Sequence, residues 1–179
     1  MRFEETPLSG AWVVELDRIG DERGYFARTF DRNEWRARGM DPAVVQCNIS
    51  CNARAGTLRG MHFQAPPHGE PKLVRCTRGS IHDVIVDLRA GSATRGRWFG
   101  VDLTRENGRA LYVPVDFAHG LQTLEADSEV LYMMGSEYVA EAASGVRWDD
   151  PAFSIKWPDP PAHGRTISDR DAAYPDYAV

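Results

Sequence analysis

The chain has 179 residues and a formal net charge of −5, with 26% of its residues charged. That length fits one domain, 1–179, with a sizeable core, and the mild acidity argues against a general nucleic-acid binder. No apolar run is long enough to cross a bilayer, and the first residues, Met1-Arg2-Phe3-Glu4-Glu5, lack the apolar segment of a secretory leader. The expectation is a cytoplasmic protein without membrane or nucleic-acid partners. Cys47, Cys51 and Cys76 are odd in number and form no spaced zinc pair, which predicts reduced thiols.

The first thirty residues read as strand-like chain that would leave an unprotected sheet edge. Asp31 then stands at an N-cap position with Glu34 three residues on, and Gly39 closes the helix so begun. Beyond it the pattern changes to short runs rich in β-branched and aromatic residues, predicted as strands over 44–49, 73–76, 81–88, 98–103, 110–113 and 129–134. Turn signals recur at Arg78-Gly79, Ala90-Gly91, Glu106-Asn107-Gly108 and Ser144-Gly145. The stretch 158–179 reads as irregular chain with a short helix near Ser168. Many short antiparallel strands and few helices predict an all-β fold, a sandwich or jelly roll with a few short peripheral helices.

Two motifs sharpen this. Gly56 to His62, followed by Gln64, is similar to the cupin half-motif G-x5-H-x-H, and Gly108, Pro114, Asp116 and His119 are similar to its partner G-x5-P-x-G-x2-H. Gln64 stands where the second metal-binding histidine would be, and Asp116 replaces a glycine. The resemblance implies a cupin-type jelly-roll barrel whose histidine serves proton chemistry, with no metal and no cofactor.

Across nearly the whole chain, ordered motifs resemble the dTDP-4-dehydrorhamnose 3,5-epimerases and their relatives in deoxysugar biosynthesis. They include Asp21-Glu22-Arg23-Gly24-Tyr25-Phe26, Gln46-Cys47-Asn48-Ile49-Ser50, Arg59-Gly60-Met61-His62-Phe63-Gln64, Lys72-Leu73-Val74-Arg75 and Ser168-Asp169-Arg170-Asp171-Ala172. The resemblance implies a nucleotide-sugar isomerase that inverts C3, C5 or both of a dTDP-4-keto-6-deoxyhexose, working as a homodimer. In that assembly N-terminal residues of one subunit approach the other's nucleotide site.

Epimerisation beside a ketone needs a base, a stabiliser for the enolate oxygen and an acid on the opposite face. A histidine, with an ordinary pKa of about 6.5, suits the base, and His62 is the candidate. Lys72 is a cation that could face the enolate oxygen. By the resemblance, Asp171 partners His62 and Tyr132 is the opposite-face acid; Ser168 and Asp171 also spell a helix capping box. Tyr132 and Tyr138, six apart, would share one face of a continuous strand, with Tyr138 walling the nucleotide base. The resemblance implies Arg59 and Arg170 as diphosphate contacts, where planar donors suit phosphate oxygens. Arg23, Phe26, Gln46 and Asn48 are further implied substrate contacts, while His119 is either a contact or a group behind one. His68, His82 and His163 are expected to be structural.

Two departures stand out. Arg28 occupies a position where the family carries glutamate, and Asp116 sits where glycine would permit a positive φ. Two other functions compete: a metal-dependent cupin using His62, Gln64 and His119, and a sugar-binding cupin without catalysis.

Overall fold

The computed structural model describes residues 1–41 and 43–177, so the last two positions of the predicted C-terminal stretch lie outside it. Among the described residues the strands are β1 (Arg2–Glu5), β2 (Trp12–Glu15), β3 (Ile19–Asp21), β4 (Gly24–Phe26), β5 (Gln46–Asn52), β6 (Leu58–Gln64), β7 (Lys72–Arg78), β8 (Ser80–Asp87), β9 (Trp98–Thr104), β10 (Ala110–Val113), β11 (Phe117–Thr123), β12 (Ser128–Met134) and β13 (Ala143–Gly145). Two short helices complete them, α1 (Arg32–Arg36) and α2 (Asp169–Ala172). No helix is long and apolar enough to cross a membrane among the described residues.

The fold is an all-β jelly roll. A six-stranded sheet in the order β1-β2-β10-β7-β12-β5 faces a five-stranded sheet in the order β13-β6-β11-β8-β9. Both orders are open, so the sheets form a sandwich and are not closed into a barrel. The two-residue alternation of strands sorts the side chains. The inward rows Val74 and Cys76 of β7, Leu111 and Val113 of β10, Ile81 and Ile85 of β8, and Leu103 of β9 meet as the central core. On the outer side of the six-stranded sheet, Leu73, Ala110 and Val14 are covered by Trp35 of α1. On the outer side of the other sheet, Met61, Val84, Val86 and Ala118 are covered by Val146 and Phe153.

Helix α1 starts as predicted, with the Asp31 carboxylate accepting from the Asn33 and Glu34 N–H groups. Its single buried residue, Trp35, packs edge-on to Phe3 and Phe30 at 5.6 and 5.0 Å. Arg28 folds back onto the same Asp31 at 2.7 Å. Asp116 does adopt a φ of 60°, one of the few non-glycine residues to enter that region. It lines a surface depression with Pro66 and Val115, away from the cleft described below.

Candidate active site

The inward rows stop being apolar at one end of the sandwich. There Arg59, His62, Lys72, His119, Tyr132 and Asn48 line an open cleft of about 240 Å³. Strand β7 shows the change within one chain segment: Lys72 faces the cleft, and the next inward residues, Val74 and Cys76, belong to the core.

Arg59 and His62 are three residues apart, which on a regular strand would place them on opposite faces. An irregularity resolves this. His62 pairs with His119 and Arg59 with Leu121, so three steps along β6 match two along β11. Glycines make the bulge possible. A Cβ on Gly60 would lie 2.6 Å from the Gly120 Cα, and one on Gly120 would lie 2.8 Å from the Arg59 carbonyl oxygen. Gly60 also has a φ of 122°.

His62 Nε2 lies 2.8 Å from Asp171 Oδ1, and the other carboxylate oxygen accepts the Gly60 N–H at 3.1 Å. Asp171 is delivered from α2, because the segment before the helix is stitched to β6: Leu58 donates to the Thr166 carbonyl and Thr166 to that of Gly56. Asp171 makes the contacts of both sequence readings. The Ser168 hydroxyl caps its N–H, yet the carboxylate turns to His62. Burial pushes that carboxyl up, but the His62 and Gly60 hydrogen bonds outweigh it and hold it below the usual carboxylate range.

On the opposite sheet, burial, reinforced by Asp83, pushes the Tyr132 phenol well above its ordinary value, so it stays protonated. Its ring stands edge-on to His119 at 6.1 Å. His119 is itself held by Asp83 at 2.8 Å, within the five-stranded sheet. Lys72 Nζ is 2.8 Å from Glu70. The Arg59 guanidinium is aimed by Asn52, which accepts from Nε at 2.7 Å and is itself anchored to the Ser128 carbonyl. Asp83, Glu70 and Asn52 were not singled out from sequence, because each is marked only by its partner in space.

The rim holds other expected residues. Arg170 lies over the Tyr174 ring at 5.9 Å, and Tyr174, followed by Tyr138, pushes the Arg170 guanidinium further up. Tyr174 stands edge-on to His62 at 6.0 Å, a close approach permitted by Gly145. Gln46 accepts the Tyr138 N–H at 3.1 Å. One expectation needs correction: Tyr132 and Tyr138 do not share a continuous strand, because β12 ends at Met134 and the chain bends at Gly135 and Ser136. Arg23 and Phe26 are not brought to this cleft. They lie on the exposed β3–β4 hairpin, where Arg23 pairs with Asp21 and Phe26 is 72% exposed.

Gln64 is committed to the protein. Its carbonyl oxygen accepts from Val139, and its two amide hydrogens are shared among the His68 and Glu137 carbonyls and Glu70. Among the described residues no group of three or more His, Cys, Asp or Glu converges as a metal site. His82 pairs with Asp102, and His163 meets the Ala55 carbonyl, both outside the cleft.

Known proteins resemble the chain over nearly its whole length. A model of the dTDP-4-dehydrorhamnose 3,5-epimerase family matches residues 5–178. The protein of that name from Sinorhizobium fredii is 42% identical over 175 residues, 98% of this chain and 89% of the relative. The crystal structure of the Elizabethkingia anophelis enzyme superimposes with a TM-score of 0.94 at 35% identity, covering 99% of this chain and 96% of the other. A structure from Legionella pneumophila, in complex with dTDP-4-keto-L-rhamnose, superimposes with a TM-score of 0.89 at 32% identity and 99% coverage of both chains. The chain belongs to the dTDP-4-dehydrorhamnose 3,5-epimerase family.

Proposed function

We propose that this single-domain protein inverts C3, C5 or both of a dTDP-linked 4-keto-6-deoxyhexose, with His62 as base and Tyr132 as acid. The observation that carries the reading is their placement on opposite walls of one cleft, His62 on β6 of one sheet and Tyr132 on β12 of the other. A sugar ring between them presents one face to each. His62 takes the proton α to the ketone, and Asp171 stabilises the imidazolium that forms. The C–H electrons move into a new C=C bond, and the ketone π electrons settle on oxygen. Lys72 offers N–H donors and charge to that oxygen. Tyr132 then delivers a proton to the other face of the carbon, and the enolate reverts to the ketone. The resulting tyrosinate regains a proton from solvent, and His62 releases its own. Arg59 and Arg170 suit the diphosphate.

The substrate class follows the ligand held by the Legionella relative. The natural assembly is read as a homodimer in the cytoplasm. The β3–β4 hairpin leaves Ile19, Tyr25 and Phe26 at 72%, 55% and 72% exposure, more apolar surface than a lone hairpin needs. A second copy would cover it and bring Arg23 and Phe26 toward the partner's cleft. Light scattering that gave an active monomer of one chain mass would contradict this.

The reaction is tested by solvent deuterium wash-in. Incubation with dTDP-4-keto-6-deoxyglucose in D2O should label C3, C5 or both and yield the inverted sugar. Unlabelled substrate after complete equilibration with active-site-competent protein would end the proposal. The same assay after chelator treatment should run at an undiminished rate.

A further inference from the structure

We infer that Glu70 is a positioning residue, holding the Lys72 ammonium in the cleft, and that Gln64 fastens Glu70 in turn; the inference rests on the epimerase reading of this cleft. Lys72 and Glu70 meet at 2.8 Å with side chains only 8% and 7% exposed. A charge so enclosed needs a partner. The carboxylate supplies it by accepting one of the three ammonium hydrogens, which leaves two for the cleft.

The second link explains the glutamine at a metal-cupin position. The Val139 N–H donates to Gln64 Oε1 at 2.6 Å, which fixes the amide so that Nε2 points the other way. That nitrogen meets Glu70 Oε2 at 3.3 Å, the oxygen that Lys72 does not use, and the His68 and Glu137 carbonyls at 3.1 Å each. The side chain that a metal cupin would spend on an ion is spent here on two loop carbonyls and the Glu70 carboxylate beside them. The cation over the enolate is thus a lysine set by a two-step brace reaching from β6 to the start of β7.

The sequence offers a direct observation. Lys72 and Lys156 are its only lysines, and Lys156 is exposed. With ¹⁵N-lysine labelling, the Lys72 ammonium should give one slowly exchanging signal that Lys156 does not. Glu70→Gln, an isosteric change that removes the charge, should broaden that signal away. Its persistence unchanged would overturn the inference, whether or not the protein turns over substrate. In kinetics, Glu70→Gln should lower kcat about tenfold, with dTDP affinity changed by less than about twofold. Glu70→Asp, which keeps the charge, should recover part of the loss. In a Lys72→Ala background, Glu70→Gln should cost nothing more, because Glu70 acts through the lysine. Multiplying losses in the double variant, or wild-type kcat in Glu70→Gln, would equally overturn it. A wild-type protein with no deuterium wash-in would sink the epimerase reading alone, leaving the lysine signal to decide the brace.

Discussion

Two histidine–aspartate pairs face the same cleft, and both close at 2.8 Å. They differ in exposure. The His62 side chain is 42% exposed against 7% for Asp171, whereas His119 and Asp83 stand at 6% and 0%. The first pair joins a strand to a helix 109 residues away; the second joins neighbouring strands of one sheet. A group that must gain and lose a proton each turnover needs reach to substrate and water. The second pair is largely closed off from water. The same two residue types therefore divide into an exposed pair, proposed as base and partner, and a buried pair beside the Tyr132 ring.

The sharpest way to break this division is at the base. His62→Asn should lower turnover by about 100-fold or more while dTDP binding survives, since Arg59 and Arg170, proposed for the diphosphate, are untouched; full wash-in activity would remove His62 from the mechanism. Tyr132→Phe acts on the other wall. Deuterium exchange at the α-carbon should persist, and formation of inverted product should fall by about 100-fold. An unchanged inversion rate would assign the acid to another group.

The two aspartates should then separate. Asp171→Asn should cost about tenfold or more in kcat, with the smaller stability change of the two. Asp83→Asn should cost about 2 kcal/mol of stability, visible as a Tm lower by about 4–8 °C. Equal Tm losses would show that burial does not distinguish the pairs. The smallest effect is in acid. The Asp171 carboxyl is held below its ordinary value in the fold, so its contribution is present above the unfolded pKa of about 3.9 and is lost as pH falls through the lower folded value. The Tm gap between wild type and Asp171→Asn should narrow as the pH drops from about 5 to about 3. A gap of constant size would mean that the carboxylate contributes nothing through its ionisation.

Much of this was legible from the chain. The runs that became β7 to β10 and β12 carried their β-branched pattern openly, with ends shifted by a residue or two, and the α1 cap was readable because Asp31 bonds to its own neighbours. The motif around His62 marked one wall of the cleft, and Lys72 and Tyr132 line it with His62. What stayed hidden was non-local. Nothing near Asp83 announces His119, and nothing near Asn52 announces Arg59. The bulge at Gly60 was hidden as well, since it depends on Gly120 approaching from another strand. The misplaced geometry of Tyr132 with Tyr138 came from extending a strand through Gly135, where the chain bends.

The delivery of Asp171 by α2 has a temporal consequence. A polypeptide emerges from the ribosome in order, and all the strands of both sheets precede residue 168. The sandwich can form with its cleft while His62 still lacks its carboxylate. Only when the Thr166 segment docks beside β6 does Asp171 swing over the imidazole. A chain ending before residue 168 would lack both Asp171 and Arg170, the proposed partner of the base and a proposed diphosphate contact. Competence would arrive last, with a single turn of helix.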